Sequence, residues 1–324
     1  MSYIDKFKLS FQKKYFDTYL ENKDYKNLFI EIEKLLDKKD IRFLNLINNS
    51  LESIFKDLDS QSFFPNNITW INSFEPKHAE HISKFLHFYF EKQNDEELNS
   101  IHDTYENKLY EILSPYLKDI HIDLNDLVQN SYLYQLMISL KYPSSNIFLK
   151  NQMAFFENIQ TSKKLTHPFL ANSFIYVVKN PYDSFREFKK NNSNTYYAQN
   201  YLLNLDHTPS LFSKGESFKI EINKKSWATN LESWDSEAVL RSFSGIIIKI
   251  EDLIMEPTDT YASILGHLSQ AGLRLNLDYK IIDEFINLHP IVDSTPEVDI
   301  SNKEIKLINR EILNKATQYN YKNI

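Results

Sequence analysis

Four short runs of apolar residues, each followed by a helical segment, constrain the fold of this chain more than any other feature. They cover residues 68–74, 146–150, 173–178 and 245–250, and they are rich in isoleucine, valine and aromatic residues. Continuous apolar strands of this length, separated by helices, are typical of a parallel sheet with helices on both faces. We therefore predict a three-layer α/β fold, in which ligands bind beyond the carboxyl ends of the strands.

Helical periodicity fills much of the remaining chain. Apolar residues recur at intervals of three and four over residues 1–64, 95–140 and 273–324. A break at Pro65, followed by two asparagines, is the best candidate for a boundary. We predict a helical extension over residues 1–64, which offers a surface to a protein partner, and an α/β domain over residues 65–324.

Glycine is scarce, with four in 324 residues: Gly215, Gly245, Gly266 and Gly272. No two of them have the spacing of a dinucleotide-binding fingerprint or a Walker A loop. This scarcity argues against a standard Rossmann dehydrogenase, a P-loop kinase of the usual kind and a hydrolase with a G-x-S-x-G motif.

The composition also limits the cofactors, the partners and the location. No cysteine is present, which removes disulfides, iron–sulfur clusters, thiolate zinc sites and cysteine nucleophiles. No apolar run approaches the ~20 residues of a membrane span, and the first twenty residues contain no apolar signal core. The net charge of −7 argues against general nucleic-acid binding. We expect a cytoplasmic protein without a membrane span or a nucleic-acid partner.

Three of the predicted strands and their turns resemble segments of the sulfotransferases. Residues 174–183, FIYVVKNPYD, are similar to the family's Y-V-x-R-N-P-x-D turn, and residues 246–257, IIIKIEDLIMEP, are similar to its later strand, V-L-x-x-R-Y-E-D-L-x-x-D-P. Residues 68–77, ITWINSFEPK, resemble the opening segment I-I-W-L-x-S-Y-P-K, and Trp227 and Trp234 lie where bacterial members carry a tryptophan-bearing stretch. The resemblance covers about residue 66 to the end.

This resemblance implies the sulfotransferase fold and a reaction. Sulfotransferases transfer a sulfuryl group from 3′-phosphoadenosine-5′-phosphosulfate to a hydroxyl or amine, here of a small-molecule or carbohydrate acceptor. By resemblance, Lys77 is the lysine that contacts the sulfate, and His81 stands where a threonine binds the 5′-phosphosulfate. Lys179 and Glu187 stand where an arginine and a serine hold the 3′-phosphate.

Several of these positions depart from the family's pattern. Ala79 stands at the loop glycine, and Glu187 brings a negative charge to a phosphate position. A unit charge about 4 Å from another costs about 4 kcal/mol at an effective dielectric of about 20, so Glu187 is expected to weaken binding of the phosphate.

The general base of the family is also missing. Its K-T-H stretch corresponds to Lys150-Asn151-Gln152, and a glutamine cannot accept a proton at neutral pH. His78 and His81 are candidate substitutes. A metal site is not expected at His78 and His81, because the zinc motifs H-E-x-x-H and H-x-x-E-H place the histidines four apart and these two are three apart.

Two functions remain open from the sequence. One is a divergent sulfotransferase, in which Lys77 and His78 are catalytic and Lys77, His81, Lys179 and Glu187 surround the donor. The other is a catalytically inactive pseudo-sulfotransferase that serves as a binding or assembly module. Function has to be decided from the site, because a fold does not determine it.

Overall fold

The computed structural model describes residues 18–36, 45, 47–49, 51–52, 55, 64–93, 99–116, 120–158, 163–191, 200, 202–204, 209–222, 224–291 and 298–321. The strands are β1 (Ile68–Ser73), β2 (Ser100–Thr104), β3 (Ile120–Ile122), β4 (Asn146–Asn151), β5 (Phe156–Asn158), β6 (Lys163–Lys164), β7 (Ala171–Val178), β8 (Ser210–Lys214), β9 (Phe218–Ile222) and β10 (Gly245–Lys249).

The helices surround these strands in chain order. They are α1 (Tyr25–Leu36), α2 (Pro76–Gln93), α3 (Tyr105–Leu113), α4 (Leu124–Gln129), α5 (Ser131–Lys141), α6 (Pro181–Asn191), α7 (Trp227–Trp234), α8 (Glu237–Ser242), α9 (Ile250–Met255), α10 (Pro257–Gln270), α11 (Tyr279–Leu288) and α12 (Asn302–Gln318).

The main sheet has five strands in the order β10-β7-β1-β4-β2, and every neighbouring pair is parallel. The four strands predicted from the sequence are all present in it. The prediction of helix throughout residues 95–140 was wrong for β2 and β3. The residues of β2, SIHDT, are all half-buried at the edge of the sheet, so β2 lacks the apolar run that marks a central strand.

Helices cover both faces of the sheet and create two cores. Trp70 of β1 packs with residues of α3, α5, α7 and α12, whereas its neighbour Ile71 packs with residues of α2, α10 and α11 on the opposite face. This alternation follows from the two-residue period of a strand. The predicted three-layer α/β fold is confirmed.

The described part of residues 1–64 packs into the first of these cores. Leu28 and Ile32 of α1 are fully buried there together with Ile47, Leu51 and Phe55. Residues 1–17 lie outside the described part of the chain. The division of the chain at residue 64 stays a prediction, as does a protein partner for these helices.

The sheet has its topological switch point between the carboxyl ends of β1 and β7, and we call this position the crevice. The chain leaves β1 toward β2 at one edge of the sheet, whereas it leaves β7 toward β10 at the other edge. Connections that diverge in this way leave a ligand-binding crevice between the two strands. Helix α2 begins at Pro76 and α6 at Pro181, because proline has a suitable fixed φ for the first helical position. Lys77 and Lys179 lie beside this crevice.

Gly245, the first residue of β10, is required by close packing against β7. It pairs in register with Phe174, and a Cβ added to it would overlap the buried Phe174 ring. We expect Gly245→Ala to lower the free energy of unfolding by about 1–3 kcal/mol in urea denaturation, because the core there is already full.

Gly266 is the matched control. It lies within α10, where an added Cβ would meet nothing within 4 Å. We expect Gly266→Ala to raise stability by roughly 0.5–1 kcal/mol, because alanine is the better helix former. Wild-type stability in Gly245→Ala would contradict the proposed packing constraint.

Candidate functional site

One carboxylate bridges two lysines at the crevice. The ammonium group of Lys77, in the first turn of α2, donates a hydrogen bond to Glu187 Oε2, and that of Lys179, after β7, donates to Oε1 of the same carboxylate. Lys179 is buried, with 9 % of its surface exposed, whereas the side chain of Lys77 is 52 % exposed. The two lysines that the resemblance assigns to the donor's sulfate and 3′-phosphate therefore converge on one anionic group.

The pKa values of this cluster favour the charged forms. Burial acts to raise the pKa of Glu187, but the hydrogen bonds and charges of Lys179 and Lys77 outweigh it and leave this pKa below 4.5. Burial acts to lower the pKa of Lys77, but Glu187 and Glu75 outweigh it and raise this pKa. The carboxylate and the Lys77 ammonium therefore stay charged at neutral pH.

Backbone N–H groups at the start of α2 are hydrogen-bonded to acceptors in the loop between β1 and α2. Ser73 Oγ accepts a hydrogen bond from the Ala79 N–H at 3.2 Å and donates one to the Glu75 carbonyl. The His78 N–H donates to the same carbonyl at 3.1 Å. Amide groups at the start of a helix are the usual donors to a bound phosphate. Here two of them are already occupied within the loop.

Glu75 and His78 lie beside Lys77 and are both buried. Glu75 Oε2 is 3.5 Å from Lys77 Nζ and 3.7 Å from His78 Nε2. Burial lowers the pKa of His78 to about 4, and the attraction of Glu75 offsets this only in part. His78 is therefore a neutral, weakly basic imidazole at pH 7. The structure places it next to the Lys77–Glu187 pair, where the sequence predicted a catalytic residue.

His81 lies elsewhere on α2. Its Nε2 shares a hydrogen bond with the Tyr261 hydroxyl, and its ring packs against Phe285 with the centroids 5.5 Å apart. Burial lowers the pKa of His81 to about 4. The structure therefore brings Lys77, His78, Lys179 and Glu187 together but places His81 in the packing between α2, α10 and α11.

A second lysine–glutamate pair lies near the end of β4. Lys150, the lysine of the family's K-T-H stretch, donates a hydrogen bond to Glu80 in α2. The side chain of Lys150 is 15 % exposed and that of Glu80 is 64 % exposed. At this pair too, a lysine of the family's pattern has a carboxylate of the chain as its partner.

Glu106 is a buried carboxyl that the sequence analysis missed. It follows β2 in the first turn of α3, and the register of the sheet pairs Thr104 with Lys150. Burial raises the pKa of Glu106 to about 7, and the hydrogen bond from Thr104 and the charge of Lys150 limit the rise. A carboxyl with this pKa can accept or donate a proton at neutral pH. The signal in the sequence that could have indicated Glu106 is Thr104, which caps the start of α3. We did not recognise it, because we expected continuous helix over this region.

Glu251 has a structural role beside the turn after β7. Its Oε1 accepts a hydrogen bond from the Asn180 N–H at 2.8 Å, and its Oε2 accepts one from the Tyr321 hydroxyl at 3.0 Å. These contacts tie the turn after β7 to α9 and to the segment after α12. Glu251 therefore fixes the backbone beside Lys179.

Neither a metal centre nor a membrane span is found in the described part of the chain. No group of three or more histidine and acidic side chains there is arranged to hold a metal ion. None of the helices formed by these residues combines the length and the apolar character needed to cross a bilayer.

Comparison with known proteins gives structural similarity without a family assignment. No protein-family model matches the sequence, and no curated protein matches it. Among solved structures, mouse sulfotransferase SULT7A1 complexed with PAP superposes on 79 % of this chain and 88 % of its own, with 10 % identity and a TM-score of 0.44. The sulfotransferase domain from the curacin biosynthetic pathway covers 81 % of this chain and 99 % of its own, with 12 % identity and a TM-score of 0.32.

Glu187 contributes to stability only where its carboxyl is ionised. Because folding lowers its pKa, the contribution is complete above the usual value of 4.5 and is lost as the pH falls below it. We expect the free energy of unfolding of Glu187→Gln to lie furthest below that of the wild type near pH 7, and the difference to shrink toward about pH 3.

Glu237→Gln is the control, because Glu237 pairs with Arg241 at the surface and its side chain is 75 % exposed. Its difference from the wild type is expected to stay small at every pH, as for most exposed ion pairs. A difference for Glu187→Gln that stays constant between neutral and acidic pH would contradict the bridging role of Glu187.

Proposed function

We propose that the residues at the crevice do not hold the donor that the resemblance implies. Two converging lysines suit a phosphate or sulfate group. The carboxylate between the lysines does not suit such a group, and neither do the amides of His78 and Ala79, because they already donate hydrogen bonds within the loop. The site in this conformation therefore does not fit 3′-phosphoadenosine-5′-phosphosulfate, because an anion of the chain already fills the position between the lysines.

We propose that this chain is a sulfotransferase-like protein that does not transfer sulfuryl groups and instead serves as a binding or assembly module. The observation that carries the proposal is the pairing of Lys77 and Lys179 with Glu187. A donor phosphate placed there meets a carboxylate in place of the neutral serine of the family's pattern.

The size of this effect follows from Coulomb's law. A like charge about 4 Å away costs about 4 kcal/mol at an effective dielectric of about 20, and a phosphate carries more than one charge. At ~1.4 kcal/mol for each tenfold change, the loss is roughly three decades of affinity or more. A donor that binds in the micromolar range without the repulsion is then limited to the millimolar range.

Calorimetry of the purified wild-type protein tests the proposal. We expect no saturable binding of adenosine 3′,5′-bisphosphate up to about 1 mM, because the nucleotide has to compete with the Glu187 carboxylate for both lysines. Micromolar binding by the wild type would overturn the proposal. Thermal unfolding with and without the nucleotide gives an independent readout, since a bound ligand raises the melting temperature.

The second candidate function is sulfuryl transfer to a hydroxyl or amine, and Glu106 is the observation that favours it. Glu106 is a buried carboxyl with a pKa of about 7, in the first turn of the helix that follows the strand paired with Lys150, and such a group is suited to accept the proton of an acceptor. In this candidate, Lys77 supplies positive charge at the reacting group, and Glu106 takes the place of the missing histidine base.

Glu106→Gln separates the second candidate from the first. If the wild type transfers sulfuryl groups, we expect its rate to rise with pH through about 7, and the variant to lose roughly 10²–10⁴-fold of this rate and the pH dependence. His78→Gln is the comparison, because the low pKa of His78, about 4, means that this variant is expected to keep the pH dependence of the rate near pH 7. A full rate in Glu106→Gln would exclude Glu106 as the base.

A further inference from the structure

A cavity of about 400 Å³ lies at the amino edge of the main sheet, opposite the crevice. Its walls are residues 65–67 before β1, residues 143–146 at the start of β4, Asn172 in β7 and residues 271–274 after α10. β7, β1 and β4 are neighbouring parallel strands, so their amino ends meet at this edge. A strand of six residues, such as β1, spans about 20 Å and separates the cavity from the crevice.

We propose that this cavity binds an acidic sugar, a polyhydroxylated small molecule that carries a carboxylate. The volume is within the range of about 300–1,000 Å³ that is usual for small-molecule sites. The inference goes beyond the proposed function, because it depends on residues at the opposite edge of the sheet and needs no assumption about the crevice.

Two amide oxygens without partners are the first reason. The Asn67 side chain donates hydrogen bonds to the carbonyls of Tyr142 at 2.7 Å and Ser145 at 2.9 Å, but its Oδ1 has no hydrogen-bond partner among the described residues. Asn67 is buried, with 8 % of its surface exposed. Oδ1 of the adjacent Asn66 also lacks a partner there. Buried acceptors of this kind are costly when unpaired, so they favour a ligand with hydroxyl donors.

The charge of the cavity is the second reason. Among the described residues that line it, Arg274 is the only charged one, so a cation is present and no carboxylate opposes an anion. Arg274 is exposed. A guanidinium group matches a carboxylate with two parallel N–H donors. The hydroxyls of Ser144 and Ser145 are further donors in the same lining.

The composition of the walls argues against other ligand classes. No aromatic side chain is found among the described lining residues, so a nucleobase has no ring on which to stack. The apolar lining residues are Pro65, Pro143, Ala271 and Leu273. An acyl chain requires a longer apolar surface than these four provide, whereas a sugar needs mainly hydrogen bonds.

The walls are fixed by contacts within the chain. The two hydrogen bonds from Asn67 hold the segment before β4, and Asn172 Oδ1 accepts a hydrogen bond from Thr69 Oγ1 at 2.8 Å. After α10 the backbone turns at Gly272, with φ of +101°, and Leu273 is buried. A site that is already ordered loses less entropy when a ligand binds, so weak individual contacts can still give measurable affinity.

Calorimetric titration of the full chain with glucuronate tests the proposal, with glucose and acetate as comparison ligands. We expect saturable binding of glucuronate below about 1 mM, and binding of glucose and acetate at least about tenfold weaker, because each lacks part of the recognised group. Arg274→Ala is expected to weaken glucuronate binding roughly 10–100-fold and to leave glucose binding unchanged.

Arg310→Ala is the matched control, because Arg310 is an arginine of α12 whose side chain is 78 % exposed and which does not line the cavity. It is expected to bind glucuronate as the wild type does. If thermal unfolding shows that Arg274→Ala is not folded, Arg274→Gln removes the charge while keeping much of the side-chain length, and the same expectations apply to it.

The outcomes separate the inference from the proposed function. Absence of saturable glucuronate binding up to about 10 mM overturns the inference. Binding that Arg274→Ala leaves intact also overturns it, as does binding of glucose or acetate as tight as that of glucuronate. All of these results leave the proposed function standing. Micromolar binding of adenosine 3′,5′-bisphosphate overturns the proposed function and leaves the inference standing.

Discussion

The bridge from Lys77 through Glu187 to Lys179 is the interaction on which the functional edge of this molecule depends. It joins the first turn of α2 to the end of β7 and to the second turn of α6, so it connects three elements at the crevice. It also sets the charge of the crevice, because a buried ammonium group is tolerated only with a counter-ion. A carboxylate at this one position therefore neutralises the buried Lys179 and stabilises this edge of the sheet.

Much of the fold was predictable because four of the five strands of the main sheet are apolar runs. These runs, which form β1, β4, β7 and β10, are followed by helices. Apolar runs of this kind can be recognised as strands of a parallel sheet from the sequence alone. β2 was not predictable in this way. It lies at the edge, its residues are polar and half-buried, and only its pairing with β4 makes it a strand. The missed strand also concealed Glu106, since a carboxyl is a candidate base only when its position at the carboxyl edge of the sheet is known.

The sequence predicted where the candidate site lies in the fold, but it did not predict the contacts between its residues. The strand ends and the resemblance brought Lys77, Lys179 and Glu187 to one edge, and the structure places them together. The sequence interpretation treated Glu187 only as a charge that repels a phosphate. Its attraction to two lysines depends on side-chain positions in three elements. These positions cannot be derived from the spacing of residues in the sequence. His81 was assigned by alignment with a loop threonine, yet the aromatic side chains of α10 and α11 determine where it lies.

The retained lysines have an explanation that does not need a donor. A chain that binds an anionic ligand can leave its cations to be neutralised by that ligand, whereas a chain without one must neutralise them itself or lose stability. Here both Lys150 and Lys179 have a glutamate partner, and these glutamates, Glu80 and Glu187, stand where the family's pattern has other residues. The charges of these lysines are therefore neutralised by glutamates of the same chain. The carboxylates beside these lysines are the better guide to what the site binds.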